Sequence, residues 1–177
     1  MDNSIKKIVD KYKGKYQEFE IKKIHTPFGK YEIQPLKGTI NIDNTIITIN
    51  KNENIGIQLL NQDTVEKEPF RIILHLQNNK STLNIYPKSK IKKILSKLIN
   101  KTNKQFEFKG DKELVRRLST DRTLQTLLFD KNYFVSVNQN YPNKLMLIPE
   151  QKNVSIADYE LIFKVLKKIE EILLNIY

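Results

Sequence analysis

The chemistry this chain offers is positive charge. Between Glu68 and Glu107 no carboxylate occurs, while Arg71, Lys80, Lys88, Lys90, Lys92, Lys93, Lys97, Lys101 and Lys104 supply nine positive charges. The 177 residues carry a formal net charge of +11 from 31 basic and 20 acidic side chains, so this one window holds most of the excess. Such asymmetry marks one electropositive surface rather than a uniformly basic protein, and it attracts anionic partners. A composition of 27 Lys against 4 Arg, with 24 Ile and 18 Asn, points to an A/T-rich coding sequence and explains part of the basicity. It does not explain why Asp and Glu vanish from this window and are common on either side.

The densest part of the window is helical in period. After Pro87, which suits a first helical turn, Ile91, Ile94, Leu95, Leu98 and Ile99 follow the spacing of one helix face, and Lys88, Lys90, Lys92, Lys93, Lys97, Lys101 and Lys104 fill the remainder and its exit. These seven lysines are the candidate anionic-partner site. A helix of this kind can meet an acidic protein, track phosphates or lie on an anionic membrane. It can also simply pack its apolar stripe on a sheet and leave its lysines in water. Few aromatics interleave with the lysines, the window having Phe70, Tyr86 and, at its last position, Phe106, which weakens base stacking. Arginine, the usual reader of guanine, is rare. The expectation is therefore an acidic protein partner, with nonspecific nucleic-acid or anionic-membrane binding through the same patch as the alternative.

Arg116, Arg117 and Arg122 stand out in a chain that otherwise uses lysine. A planar guanidinium favours bidentate pairing, so they are candidates for holding an anion. The competing reading is a helical ladder, Glu113 to Arg117 and Arg117 to Asp121, both at i, i+4.

Other catalytic chemistry finds no motif. His25 and His75 are the only histidines and lack metal-binding spacing. The five glycines never cluster into a phosphate loop, and no nucleophile elbow occurs. Without cysteine there is no disulfide, thiolate metal site or cysteine nucleophile. A non-enzymatic binding or accessory protein without cofactor is expected. The opening Met1–Lys7 has no signal-peptide run, and no stretch approaches the roughly 20 apolar residues of a bilayer span. A cytoplasmic location follows as an expectation.

The elements that must position these residues read as α+β. Ile5, Ile8, Val9 and Tyr12 predict a short helix before Gly14. Period-two alternation then predicts a meander of about five strands: Phe19 to Ile24, Tyr31 to Ile33, Ile40 to Ile42, Ile47 to Ile49 and Ile55 to Leu59. Its breaks fall at Pro27–Gly29, Pro35–Gly38, Asp43–Asn44 and Lys51–Asn54. Phe70–Gln77 and Thr82–Tyr86 read as a hairpin, and Gln105–Lys109 as a strand. A helical run from Asp111 to about Phe129 bends near Ser119–Asp121, with Thr120 as a cap. Tyr133–Asn138 and Lys144–Ile148 form a hairpin around Tyr141–Asn143. Ser155 and Asp158 make a capping box for a long terminal helix. Phe70–Pro87 and Asn132–Pro149 align without gaps, matching Gln77 with Gln139, Asn78 with Asn140, Leu83 with Leu145 and Pro87 with Pro149. That echo suggests a β-hairpin–helix pseudo-repeat.

The apolar arc of the terminal helix, widened by Leu161, Val165 and Leu174, calls for two covering surfaces. One is the sheet. The other is the N-terminal helix, in a monomer, or the same helix of a second copy, in a homodimer; the monomer is the expectation. One domain over residues 1–177 is expected, with a sub-division point near 101–104.

The run Phe106-Glu107-Phe108-Lys109-Gly110-Asp111-Lys112-Glu113-Leu114 continues through Arg117-Leu118 and Leu127-Leu128 to the strand Tyr133–Val137. Over residues 105–148 this resembles a pattern in uncharacterised bacterial proteins, which often carry a membrane-anchored N-terminal part. The resemblance implies a bacterial α+β domain and transfers no functional residue.

Overall fold

In the computed structural model, which describes residues 4–26, 29–54, 70–88, 106–150 and 154–176, the chain has an α+β fold. It divides into two compact units, Met1–Ile73 and Leu74–Tyr177, and the division falls within the strand Arg71–His75. Every strand pair registered within the two units is antiparallel.

The first unit is a sheet capped by one helix. Helix α1 (Ser4–Lys11) buries Ile5, Ile8 and Val9. The strands are β1 (Lys15–Glu18), β2 (Lys22–Thr26), β3 (Gly29–Ile42) and β4 (Thr45–Asn54). Asp43 and Asn44, both at positive φ, form the two-residue turn that joins β3 to β4. This backbone is what a tight hairpin needs and what Asn and Asp tolerate. Leu36, Ile40, Ile47 and Ile49 line the face under α1 and are buried. Gly38 belongs to that face, and a Cβ there would stand 2.6 Å from Val9 Cγ2 and 3.2 Å from Ile5 Cγ2. The glycine is what lets α1 lie directly on the strand.

Two breaks predicted from composition are absent. Strand β3 runs through Pro35–Gly38, and β4 runs on through Lys51–Asn54. Proline survives inside β3 because of where its missing donor points. Its carbonyl accepts from the Phe19 N–H at 3.0 Å, so its nitrogen faces the same edge, away from β4. On that edge the partner strand is interrupted: Glu18 pairs with Leu36 and Lys22 with Ile33, leaving Phe19, Glu20 and Ile21 bulged between β1 and β2. The break falls on the proline's neighbour instead of on the proline. The strand expected at Ile55–Leu59 and the lysine-rich helix expected after Pro87 lie outside the described residues.

The second unit begins in β5 (Arg71–His75) and contains β6 (Leu83–Pro87), β7 (Phe106–Gly110), α2 (Lys112–Thr120), α3 (Arg122–Leu128), β8 (Tyr133–Asn138), β9 (Tyr141–Pro149) and α4 (Ile156–Leu174). Its strands order as β9-β8-β6-β7. Because β7 and β8 occupy the two edges of β6, no edge remains for β5. The expected hairpin of Phe70–Gln77 with Thr82–Tyr86 therefore does not form, and the echo between the two proline-ended segments is not a structural repeat. Asn79 stabilises the route the chain takes instead. Buried in the connection, it donates to Ser81 O at 2.9 Å and to Pro142 O at 2.8 Å, tying this loop to the start of β9.

The helical run breaks at Asp121, within the predicted Ser119–Asp121 stretch, but the cap is one residue later than predicted. Asp121, not Thr120, caps α3, accepting from Leu124 N at 2.7 Å, while the Thr120 hydroxyl turns back to Arg116 O at 2.9 Å. Asp111 caps α2. The last turn also shifts: Asn138 pairs with Tyr141, so Gln139 and Asn140 make the turn and Pro142 lies within β9. The capping box forms as expected, with Asp158 N donating to Ser155 Oγ at 3.2 Å. Helix α4 packs on β9, α2 and α3, and Val165 is fully buried there. The second covering surface that its wide arc required is thus the pair α2 and α3. Among the described residues no helix is long and apolar enough to cross a membrane.

Candidate interaction surface

The sheet of the second unit has two unlike faces. Alternation places Val135 and Val137 of β8, Leu145 and Leu147 of β9, and Leu83 and Ile85 of β6 on one face, all fully buried. The described helices of this unit supply Leu114, Leu118, Leu124, Leu128, Ile162 and Leu166 as the matching buried layer. The opposite face carries the alternate residues. Phe134 pairs with Ile148, Ser136 with Met146, Asn84 with Ser136, Asn84 with Lys109, and Tyr86 with Glu107. Since Ile85 pairs with Val135, Tyr86 and Phe134 are lateral neighbours on the two central strands. One row across this face therefore reads Ile148, Phe134, Tyr86, Glu107, and the next reads Met146, Ser136, Asn84, Lys109. Cross-strand neighbours on one face lie about 5 Å apart, so each row is a contiguous strip.

The two halves of the strip differ. On β9 and β8 it is uncharged and, Ser136 apart, apolar, with Phe134 49% exposed. On β6 and β7 it is polar and internally paired. The Tyr86 hydroxyl donates to Glu107 Oε1 at 3.2 Å, and the Lys109 ammonium stands 5.2 Å from the Tyr86 ring centroid and 3.8 Å from Glu107 Oε1. The ring of Tyr86 is thereby occupied by a cation, an arrangement favourable for both groups. Lys88, partly exposed, lies one residue past the end of β6. At the far end of β9, Lys144 lies over the ring of Tyr141 at 4.8 Å.

Of the lysines singled out in the sequence, one falls among the described residues. Lys90, Lys92, Lys93, Lys97, Lys101 and Lys104 lie outside the described residues, and Lys88 alone can be placed. The arginines are accounted for individually. Arg116 holds Glu113 through Nε at 2.9 Å and through Nη2 at 2.7 Å, and Arg117 Nε holds the same carboxylate at 2.8 Å. Arg117 Nη1 also donates to Asn175 O at 2.8 Å, satisfying a carbonyl at the end of α4. Asp121 pairs with Lys168 at 3.5 Å, so the second rung of the expected ladder goes to α4. Arg122 is exposed and has no ion-pair partner among the described residues.

Hydrogen bonds from Arg116 and then Arg117 push the Glu113 carboxyl down from its ordinary 4.5 to about 2. A folded-state pKa below the unfolded one adds stability that is complete above about pH 4.5 and is lost as pH falls towards about 2. Thermal melts of the parent and of Glu113→Gln should therefore differ most at neutral pH and converge near pH 2 to 3. A constant difference across that range would show that the pair is not the source. The group is exposed, so the effect is small.

A second polar cluster sits at the start of α4. Asp158 accepts from the Ser155 hydroxyl at 2.7 Å and pairs with Lys131 at 3.3 Å. The Ser155 bond and then Lys131 hold its carboxyl below the usual range. Burial, with Asp158 nearby, pushes the Tyr133 phenol up to about 12. All these groups are engaged in helix capping and packing. His25 is exposed and His75 half-buried, and among the described residues no three metal-ligating side chains gather. No family model matches this chain, and no curated protein or solved structure matches it either.

Sequence reasoning missed Phe134, Met146 and Ile148 as surface residues. A signal was present: in Tyr133–Asn138 the buried positions alternate, which turns Phe134 outward. Joining it to Ile148 and Tyr86 required the pairing of β8 with both neighbours.

Proposed function

We propose that this chain is a non-enzymatic binding protein that presents a lysine-rich surface to an acidic protein partner. The observation that carries the reading is the stretch from Pro69 to Phe106, with nine positive charges and no carboxylate. Opposite charge on a partner speeds encounter and excludes like-charged competitors more than it adds affinity. The sheet face of the second unit that no described helix covers supports a protein in preference to a nucleic acid. Its Ile148, Phe134 and Met146 offer aliphatic and aromatic contact without charge, the composition of an interface centre. Base stacking would have to rely on Phe134, because Lys109 and Glu107 already hold Tyr86.

Reversing Lys90, Lys92, Lys93 and Lys97 to Glu tests the reading. Capture of the native partner should be lost, and binding of the parent chain should weaken steeply as salt rises from 50 to 300 mM. A partner list unchanged by the four reversals would remove the lysines from the account. A gel shift with nonspecific DNA, falling by roughly 0.9 log units per phosphate contact per log unit of salt, would favour the nucleic-acid alternative.

A further inference from the structure

Strand β7 ends the sheet of the second unit, and among the described residues β6 is its single neighbouring strand. Its backbone hydrogen-bonding groups point two ways. The Asp111 N–H donates to Thr82 O, so the Leu83–Gly110 pair that this bond brackets is a non-hydrogen-bonded pair. Alternation then makes Asn84–Lys109 and Tyr86–Glu107 the hydrogen-bonded pairs. It also puts Pro87, which has no N–H, opposite Phe106 at a position that needs none. Glu107 and Lys109 therefore spend their backbone groups on β6, while Phe106, Phe108 and Gly110 turn theirs to the outer edge. An open row of this kind is a template for another strand. Neither a proline nor a bulge interrupts it.

The sequence of the strand names the occupant. Laid antiparallel on a second copy about Phe108, Glu107 meets Lys109 of the second copy, Lys109 meets its Glu107, and Phe106 meets Gly110, which has no side chain to compete for space. Phe108 pairs with buried Ile85, so Phe106 and Phe108 lie on the helix-covered face and Glu107 and Lys109 on the other. The four charges then alternate in sign around a square. Within one strand Lys109 Nζ already stands 3.8 Å from Glu107 Oε1, and across the axis each carboxylate gains a second ammonium. Opposite charges directly across a ladder are favourable and like charges are not. Charge also fixes the register, since centring on Glu107 or on Lys109 sets that charge opposite itself. The other described strands with one neighbour lack this match. On β2 the same operation about Ile24 puts Lys23 opposite His25; on β1, about Tyr16 or Gln17, it leaves Lys15 opposite Gln17 or Glu18 opposite Tyr16. We propose that two copies of this chain pair through β7, Phe108 on Phe108, making one antiparallel sheet across a two-fold axis.

This pairing goes beyond the acidic-partner reading and uses none of its lysines. Sedimentation and light scattering of the full-length chain at high micromolar concentration test it, and a species of twice the chain mass is expected. Glu107→Lys and Lys109→Glu should each weaken the dimer about tenfold or more, because each sets two like-charged pairs across the axis. Mixed in equal amounts, the two variants should form a heterodimer, since each strand then carries one sign and meets the other. Phe108→Pro removes an N–H aimed at the open edge and none aimed at β6, so the dimer should be lost with the circular dichroism spectrum retained. The mixing result decides even where Phe108→Pro unfolds the chain. Reversing Lys90, Lys92, Lys93 and Lys97 should leave the dimer intact, so failure of either reading leaves the other standing. A monomer at every concentration would overturn the proposal. A dimer indifferent to both charge reversals would do the same by placing the contact elsewhere, and two reversals that do not rescue each other in the mixture would refute the register.

Discussion

A chain truncated before Leu161 is expected to be insoluble, or soluble without a cooperative melting transition. Helix α4 buries Ile162, Phe163, Val165, Leu166, Ile169, Ile172 and Leu173. Each contributes about 1.5–3 kcal/mol by leaving water, and together, at about 10–20 kcal/mol, they match or exceed the roughly 5–15 kcal/mol by which a native domain is stable. Truncation also removes the helix against which α2 and α3, with their buried Leu114, Leu118, Leu124 and Leu128, pack. Circular dichroism melts and a solubility assay read the outcome. A soluble fragment with a sharp transition would show α4 to be peripheral. Leu166→Ala in the full chain gives the graded version, because Leu166 is fully buried and its loss should cost about 2–5 kcal/mol.

Gly110→Ala is expected to lower stability by about 3 kcal/mol or more, through two independent causes. Gly110 sits at φ +140, a backbone region that side chains disfavour. Its new Cβ would also stand 2.2 Å from Thr82 O and 3.1 Å from Leu83 Cα. These are backbone atoms of the neighbouring strand and cannot rotate away. The pairing of Leu83 with Gly110 would have to open, and with it the Asp111 N–H bond to Thr82 O at 3.3 Å that leads into α2. Lys112→Ala, two residues on and exposed, is the control and should stay within about 0.5 kcal/mol. Equal melting temperatures for Gly110→Ala and the parent would contradict the geometry.

The legible parts of the fold are those in which cause and effect are close in sequence. Ser155 and Asp158 announced the start of α4 because both capping partners lie within one turn. Ile5, Ile8 and Val9 announced α1, and Asp43–Asn44 its hairpin turn, for the same reason. Where two adjacent residues could each do a job, the reading failed. Thr120 and Asp121 are both cap formers, and the bond from Thr120 back to Arg116 O leaves Asp121 to take the role. Pro35–Gly38 reads as a break from its turn chemistry; whether the proline's missing donor matters depends on which neighbour that donor would have faced.

The candidate surface divides along the same line. The concentration of lysine between Glu68 and Glu107 is a property of the sequence alone, since charge needs no fold to be counted. So is the outward direction of Phe134, which follows from the alternation of β8. That Phe134 stands beside Tyr86 and Ile148 was decided by β8 pairing with β6 on one side and β9 on the other. An extended strand offers equivalent donors and acceptors on both edges to any neighbour, so its own residues do not name its partners. The hydrophobic faces and turns of the whole unit choose among those pairings, and only the folded chain carries that choice.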